Sequence, residues 1–294
     1  MIIISNEKKD EIRRMLEKYC DRYGSRNSAA QSLKNVSAST ISSILNGKYE
    51  NISDAMWKSI RSQVNDPTAS GEWQIVDTPT FKDVRFVLEQ AQADQSMIWL
   101  TVKAGSGKTA TAEFYRAQNR NVIYLLCDED MRKSSFAIEL ARAAGMRINT
   151  QRTAREKIMQ VIDFIAEMDN PLIIFDEGDK LSDNLLCYFI TIYNHLEGHA
   201  GIVFLSTDYM QRRMEKGIRH DWKGYDELES RIGRKFYEAE QPTANDVVAI
   251  CMANGITDEK AIAAIVKDAA GCDYDLRRVK RKIMAVRKKL KLSA

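Results

Sequence analysis

The feature that most constrains this chain is a glycine-rich loop at residues 103–109, which follows the apolar run Ile98–Val102. Glycines in such a loop allow backbone N–H groups to close around phosphate oxygens at the positive end of the next helix, here predicted over Thr109–Arg116. We expect Lys108 to reach the β- and γ-phosphates and the Thr109 hydroxyl to bind Mg²⁺. The predicted nucleotide contacts in the loop are Lys103, Ala104, Gly105, Ser106, Gly107, Lys108, Thr109 and Ala110.

One position departs from the usual pattern of such a loop. The pattern has glycine where this chain has Val102, although Gly105 and Gly107 are both kept. A β-branched residue is strained at positive φ. We therefore expect Val102 to stay extended, as the last residue of the strand.

A second apolar run, Leu172–Phe175, ends in two carboxylates, Asp176 and Glu177. Asp176 is expected to hold the magnesium ion, directly or through water. Glu177 is expected to act as the general base or to orient the attacking water. Paired acids at the end of a strand can also cap a helix, which is the alternative. Together with the loop, they predict ATP and Mg²⁺ as cofactors and ATP hydrolysis as the reaction.

Two further positions are expected beside the nucleotide. Thr207 follows the apolar run Gly201–Ser206, at the carboxyl end, where active sites collect in parallel sheets. We expect it to contact the γ-phosphate or the attacking water; the alternative is that its hydroxyl caps the next helix. Trp73, with Thr78 and Pro79 just beyond it, is expected to close the adenine pocket.

Short β-branched or aromatic runs alternate with helical patterns through the middle of the chain, which predicts an α/β fold with a parallel sheet and crossover helices. The strands are predicted at Met97–Val102, Val122–Cys127, Leu172–Phe175 and Gly201–Ser206. A cluster of turn formers, Asn65–Gly71, is the best linker candidate. The predicted division is a small all-α domain at 1–66, a linker at 67–80, a P-loop core at 81–240 and a helical lid at 241–294.

The segment Ser28–Lys48 indicates a helix, a turn and a second helix, with Ser37 as N-cap and Gly47 as stop. Short hydroxyl side chains near the start of a recognition helix suit contacts with phosphates and base edges. The segment resembles the lambda-repressor-like helix-turn-helix family. Because its exposed face has few Arg or Lys, a helical bundle for protein contacts is the alternative. The DNA-binding candidates here are Ser37, Ser39, Thr40, Ser42, Ser43 and Lys48.

With these motifs the chain resembles the AAA+ ATPases. Asp176 and Glu177 look like their Walker B motif, and Thr207 looks like their sensor 1. The resemblance implies that a guanidinium stabilises the charge on the transferred phosphoryl group of a neighbouring subunit, so that hydrolysis requires assembly. The segment 229–232 resembles the region that carries this arginine finger. Arg231 is our candidate for the finger, with Arg234 as the alternative.

The same resemblance extends to the end of the chain. Residues 271–279 resemble the lid segment that bears sensor 2, where we prefer Arg277 to Arg278. From Leu276 to Ala294 there are nine Lys or Arg and no Asp or Glu. This amphipathic basic helix is either a solvated lid helix or a surface for DNA or an acidic partner.

Four more basic residues begin predicted helices in the core. In assembled AAA+ rings such positions face a central pore, so the resemblance makes them candidates for contacts with a DNA backbone. The alternative is that they are ordinary exposed charges at helix starts. The four residues are Arg132, Lys133, Arg152 and Arg155.

The order of parts most resembles the transposition ATPases that include MuB, TnsC and IstB. That family implies double-stranded DNA as a partner with little sequence preference, a homo-oligomer in the form of a ring or helical filament, target-DNA selection, and recruitment or activation of a transposase, with release on hydrolysis. Two alternatives stay open. One is an ATP-switched transcription regulator that reads a specific operator. The other is a protein-interaction ATPase without DNA binding.

Composition excludes other classes. The five cysteines contain no CxxC pair, which argues against a disulfide framework or a zinc site and for a reducing cytosol. The apolar opening Met1–Ile4 is too short for a signal peptide, and no stretch approaches the roughly 18 apolar residues of a membrane span. We therefore expect a cytoplasmic protein with no membrane partner.

Overall fold

The computed structural model describes residues 4–23, 25–64 and 73–292 of the chain. The linker candidate Asn65–Gly71 lies outside these residues. The first part is a bundle of four helices around a compact apolar core that includes Leu16, Ile41 and Trp57. The helices are α1 Asn6–Cys20, α2 Arg26–Ser32, α3 Ala38–Leu45 and α4 Asp54–Val64.

The start and the end of α3 are where local sequence signals predicted them. The Ser37 hydroxyl accepts the Thr40 backbone N–H at 3.1 Å, which is an N-cap bond. Gly47 adopts φ +73°, two residues beyond the last residue of the helix. Both signals depend only on neighbours in sequence, so the sequence was sufficient to locate them.

The second part is a five-stranded parallel sheet in the order β2-β3-β4-β1-β5. The four predicted strands are confirmed to within one residue at their ends. The short edge strand β5 was not predicted, because its three residues have no apolar run of their own. The strands are β1 Met97–Thr101, β2 Val122–Leu126, β3 Leu172–Asp176, β4 Gly201–Ser206 and β5 Phe236–Glu238.

Helices cover both faces of the sheet, as a parallel sheet requires. On one face Trp99 stacks on Phe204 with ring centroids 4.2 Å apart, and Phe175 joins the same cluster. On the other face Leu100 and Val203 pack in a separate core. The helices of this part are α5 Pro79–Asp94, α6 Lys108–Gln118, α7 Lys133–Ala143, α8 Ala154–Ala166, α9 Asp183–Leu196, α10 Tyr209–Arg219 and α11 Tyr225–Arg231.

The third part is a C-terminal group of three helices with its own apolar core, and we keep the name lid for it from the sequence prediction. Trp73 and Val76, within the predicted linker 67–80, pack against that core. The Asn254 side chain fixes the same segment, because it accepts the Gln74 N–H and donates to the Gln74 carbonyl, both at 2.9 Å. The helices are α12 Ala244–Ala253, α13 Glu259–Ala270 and α14 Leu276–Leu292.

Within the described residues, no helix combines the length and apolar character needed to cross a bilayer.

Candidate active site

The glycine-rich loop joins β1 to α6 in the predicted position, and Lys108 is the first residue of the helix. Gly105 and Gly107 have φ of +82° and +102°, which only glycine adopts without strain. Val102 is buried at a negative φ, and its N–H donates to the Ser206 carbonyl at 2.8 Å. The residue that departs from the usual pattern therefore continues the pairing of β1 with β4 instead of entering the turn.

Lys108 faces both carboxylates that end β3. Its Nζ lies 3.5 Å from Asp176 Oδ1 and 3.5 Å from Glu177 Oε1. The Asp176 carboxylate is completely buried, and its Oδ2 accepts the Thr109 hydroxyl at 2.6 Å. A charge without solvent is tolerated only when it is paired and hydrogen-bonded, and Asp176 meets both conditions.

The oxygen atoms at this point fit a magnesium ion. Mg²⁺ prefers oxygen ligands and is usually bound by one or two carboxylates together with substrate phosphates and water. The Thr109 hydroxyl and the Asp176 carboxylate lie side by side, next to the lysine expected to contact the phosphates. These two residues would hold the ion, and the ion would neutralise charge on the nucleotide's phosphates; their role as magnesium ligands stays a prediction.

Glu177 turns the chain immediately after β3. It adopts a left-handed conformation, with φ +57°, and begins a short 3₁₀ turn, Gly178–Lys180. Its carboxylate pairs with Lys180 and lies near Lys108. The Lys180 ammonium, followed by the Lys108 charge, holds the pKa of Glu177 below its ordinary value, against the effect of partial burial. Glu177 is therefore ionised at neutral pH and able to accept a proton.

Thr207 meets the same turn from β4. Its hydroxyl donates to Asp179 Oδ2 at 3.0 Å. Arg213 on α10 fixes this turn by donating to the carbonyls of Asp179 and Leu181, at 3.2 and 2.8 Å, and by pairing with Asp183. Sequence reasoning missed Asp179 and Arg213, since only the packing of α10 against the turn reveals their contacts.

A cavity of about 430 Å³ opens beside the loop and beneath the lid, a volume in the range of small-molecule sites. Loop residues 105–111 line one side, with Glu177. Trp73, Ile250 and Arg277 are among the residues that line the rest, and the contact of Trp73 with adenine stays a prediction. Lys103 and Ala104 do not line the cavity.

Lys103 faces the lid instead. Its Nζ lies 3.2 Å from the Asp273 carboxylate and 3.2 Å from the Gln241 side-chain oxygen. The lid touches the loop again where the Leu276 N–H donates to the Gly105 carbonyl at 2.8 Å. A Cβ on Gly105 would lie 2.4 Å from the Asp275 carboxyl group, so close approach of the lid is a second reason for glycine.

Comparison with known proteins agrees with this geometry. A family model described as an AAA domain matches residues 91–214, which include the loop, both carboxylates and Thr207. This chain is a P-loop ATPase, and its residues 91–214 are similar to an AAA domain. Its fold, a parallel sheet covered by helices with a helical C-terminal region, is the one predicted.

Two solved structures are similar to this ATPase in part. Cdc6p from Pyrobaculum aerophilum is 15% identical with a TM-score of 0.44, over 59% of this chain and 48% of its own. The Orc1 protein of Aeropyrum pernix, solved in complex with DNA, is 19% identical with a TM-score of 0.49, over 68% and 56%. The chain thus spans about half the length of each. No curated protein matches the sequence.

The two arginine-finger candidates of the ATPase lie outside its own cavity. Arg231, on α11, pairs with Glu227 at 3.4 Å and donates to the Asn194 side chain at 3.2 Å. Arg234 is more exposed and pairs with Asp226 and Glu229. Neither arginine lines the cavity, and the assignment of Arg231 as an arginine finger stays a prediction.

The two sensor 2 candidates differ in their surroundings. Arg277 lines the cavity. The Arg278 guanidinium instead makes two hydrogen bonds to the Asp268 carboxylate, at 2.6 and 2.8 Å. This geometry favours Arg277, which stays a prediction.

Arg277→Ala should weaken ATP binding about five- to thirtyfold, since a lost hydrogen bond between charged groups is worth roughly 1–2 kcal/mol. Arg278→Ala, one residue away, is the matched control and should bind ATP within about twofold of the wild type. Equilibrium binding of a fluorescent ATP analogue measures both. Equal losses in the two variants would contradict the assignment.

The DNA-binding candidates on α3 have mixed exposure. Ser37, Ser39 and Lys48 are exposed, whereas Thr40, Ser42 and Ser43 are half-buried. The Ser37 hydroxyl lies 2.7 Å from that of Ser39 and 2.8 Å from that of Thr40. Three of the candidate hydroxyls thus form a local cluster at the start of the helix.

The four basic candidates of the core lie at one place. Lys157, early in α8, donates to the Ser134 hydroxyl, early in α7, at 2.8 Å. The two helices therefore begin side by side, and the exposed residues at their starts form one group, which we call the α7–α8 basic cluster. Its members are Arg132, Lys133, Arg152 and Arg155.

Proposed function

We propose that this ATPase binds double-stranded DNA in its ATP-bound state with little sequence preference, and assembles on it as a ring or helical filament. In this proposal the assembled protein selects target DNA and recruits or activates a transposase, and hydrolysis drives disassembly. The transposition role rests on the resemblance of the whole order of domains to the MuB, TnsC and IstB family.

The observation that carries DNA binding is the α7–α8 basic cluster. Its residues come from two separate segments of sequence, and the packing of α7 on α8 brings them together. Helix α7 follows β2, so its start lies at the carboxyl end of the sheet, where the ATP site also lies. Exposed Arg and Lys in one group suit the phosphate backbone, which is read without regard to sequence.

The charge around the cluster limits how much it can contribute. The acidic run Asp128–Asp130 precedes Arg132. The negative charge of this run opposes the binding of phosphates. The four basic residues of the cluster can make at most about four phosphate contacts per subunit. If all four are made, the log–log slope of DNA affinity against salt should be about −3.6 per subunit, since each contact contributes about 0.9.

Assembly is supported by the position of Arg231. A finger that lies away from its own cavity can complete the catalytic site only of another copy, which would link hydrolysis to the oligomer. In a hydrolysing oligomer, ATP turnover would then set the lifetime of the complex with DNA. The α3 hydroxyl cluster would add contacts with phosphates or base edges.

The first test is binding to random-sequence duplex DNA by fluorescence anisotropy, with ATP, with ADP and without nucleotide, together with light scattering for assembly. Sequence-indifferent binding and large assemblies with ATP alone are the expected result. Tight binding to a single palindromic site, with a dimer footprint, would favour the transcription regulator. No binding in any nucleotide state would leave the protein-interaction ATPase.

The double variant Arg132→Glu, Lys133→Glu should weaken DNA binding by more than tenfold at low salt and reduce the salt slope by about two. Arg147→Glu is the matched control, because Arg147 is exposed just after the other end of α7. Its DNA affinity should stay within about threefold of the wild type. An unchanged salt slope in the double variant would remove the cluster from the DNA interface.

A further inference from the structure

The buried Asp176 carboxylate has a contact that the motifs do not predict. Tyr124, on β2, donates its hydroxyl to Asp176 Oδ2 at 2.9 Å. The same oxygen accepts the Thr109 hydroxyl at 2.6 Å. The other oxygen, Oδ1, accepts the Glu177 N–H at 2.9 Å and faces Lys108. Both oxygens are thus held from different sides.

The sheet register explains how Tyr124 reaches this carboxylate. β2 and β3 are parallel neighbours, and Tyr124 lies opposite Ile174, two residues before Asp176. Residues two apart on a strand share a face, so the tyrosine and the aspartate are diagonal neighbours on the same face. The tyrosine side chain is long enough to reach this neighbour, and its hydroxyl lies 2.9 Å from Asp176 Oδ2.

A second contact holds the tyrosine ring itself. The Arg116 guanidinium lies 5.4 Å from the ring centroid, within the range of a cation–π interaction. Arg116 belongs to α6, the helix that begins with Lys108. The ring therefore lies between its own strand and the helix that carries the phosphate-binding loop.

We propose that Tyr124 is a positioning residue for the magnesium site. Its hydroxyl fixes the orientation of the Asp176 carboxylate, which is expected to hold the ion. Oδ2 accepts hydrogen bonds from two hydroxyl groups, and Oδ1 accepts one from a backbone N–H. The carboxylate therefore cannot rotate without losing a hydrogen bond. The Thr109 hydroxyl donates a hydrogen bond to Asp176, which leaves its oxygen lone pairs free to bind the ion. Mutating a group that orients a metal ligand in this way typically lowers metal affinity by about 10–100-fold.

Tyr124→Phe removes the hydroxyl and keeps the ring. We expect the magnesium concentration at half-saturation, measured with a fluorescent ATP analogue bound, to rise roughly tenfold. Nucleotide affinity in EDTA should stay within about twofold of the wild type, because the phosphate-binding loop is untouched. The rate of hydrolysis should recover at high magnesium concentration.

The matched control is Tyr115→Phe. Tyr115 lies on α6 and donates its hydroxyl to the Gln92 side chain at 2.7 Å, away from Asp176. This variant also loses one hydroxyl hydrogen bond of a largely buried tyrosine, but its magnesium half-saturation should not change. Thermal unfolding without nucleotide shows whether each variant is folded.

Two results would overturn the proposal. One is a magnesium half-saturation within twofold of the wild type in folded Tyr124→Phe. The other is an equal loss of nucleotide affinity with magnesium and in EDTA, which would show that the hydroxyl supports the whole site and not the ion. If the Phe variant does not fold, Arg116→Gln serves as a second variant. It loosens the ring and should shift the magnesium half-saturation in the same direction by about threefold.

Discussion

Replacing Glu177 with glutamine should leave ATP binding intact and slow hydrolysis about 10²–10³-fold. Glu177 is an ionised carboxylate near Lys108, at the start of the 3₁₀ turn. A general base contributes a factor on the order of 10²–10⁴ to the rate. Glutamine keeps the shape but cannot accept the proton. Single-turnover hydrolysis measures the rate, and equilibrium binding measures the affinity.

In the proposed function this variant should also remain assembled on DNA, because ATP binding without hydrolysis holds the bound state. Glu167→Gln is the control, since Glu167 is an exposed carboxylate at the end of α8. Turnover at the wild-type rate in Glu177→Gln would remove Glu177 from the mechanism. Slow turnover with normal disassembly would instead separate hydrolysis from release.

The ionisation of Glu177 gives the same prediction a pH dependence. Lys180 and Lys108 lower the pKa of Glu177, so the carboxylate stays ionised until the pH falls below the range of an ordinary glutamate. Protonation of Glu177 should therefore not reduce the hydrolysis rate between pH 8 and pH 6. A variant that removes the Lys180 charge should move the acid limb of the rate profile to higher pH.

Lys108→Ala should weaken ATP binding by more than a hundredfold and abolish nucleotide-dependent assembly. Lys108 is almost fully buried between the loop and the two carboxylates. Its removal takes a cation from the phosphates and leaves Asp176 buried without its ion pair. Breaking a buried pair by removing one partner costs about 3–5 kcal/mol, so stability should fall as well.

Lys108→Met, which keeps most of the side-chain volume, separates the lost charge from a cavity. Lys267→Ala, on the exposed face of α13, controls for the loss of one positive charge. Isothermal titration with ATP and light scattering with DNA measure binding and assembly. Oligomerisation with ATP that is unchanged in Lys108→Ala would contradict the role of the loop in assembly.

Several features of the site could be predicted because their signals are local. Buried parallel strands are continuous apolar runs, which places β3 and β4 to within a residue. The loop needs glycine at two positions, and its lysine begins the next helix, so five consecutive residues determine its geometry. The Ser37 cap of α3 is equally local, since a hydroxyl bonds a backbone N–H three residues ahead.

Other features follow from contacts between distant segments. Lys103 was predicted to contact nucleotide, but in the structure its Nζ pairs with the Asp273 carboxylate and donates to the Gln241 side chain. Arg213 lies 30 residues after Asp183 in sequence, and only the packing of α10 brings them together. Strand β5 is three residues long and depends on β1 for its pairing.

The sequence by itself determined the reaction class and predicted its central residues, since the phosphate-binding loop and the paired carboxylates are each a short run whose chemistry does not depend on the rest of the chain. The tertiary structure decided which residues from other helices and strands lie next to the loop and the carboxylates. It placed Tyr124 on Asp176 through the register of two strands, and Arg277 rather than Arg278 at the cavity through the docking of α14. The physical reason is range: a turn or a cap is determined within a few residues, whereas a contact between elements depends on how the sheet and helices pack.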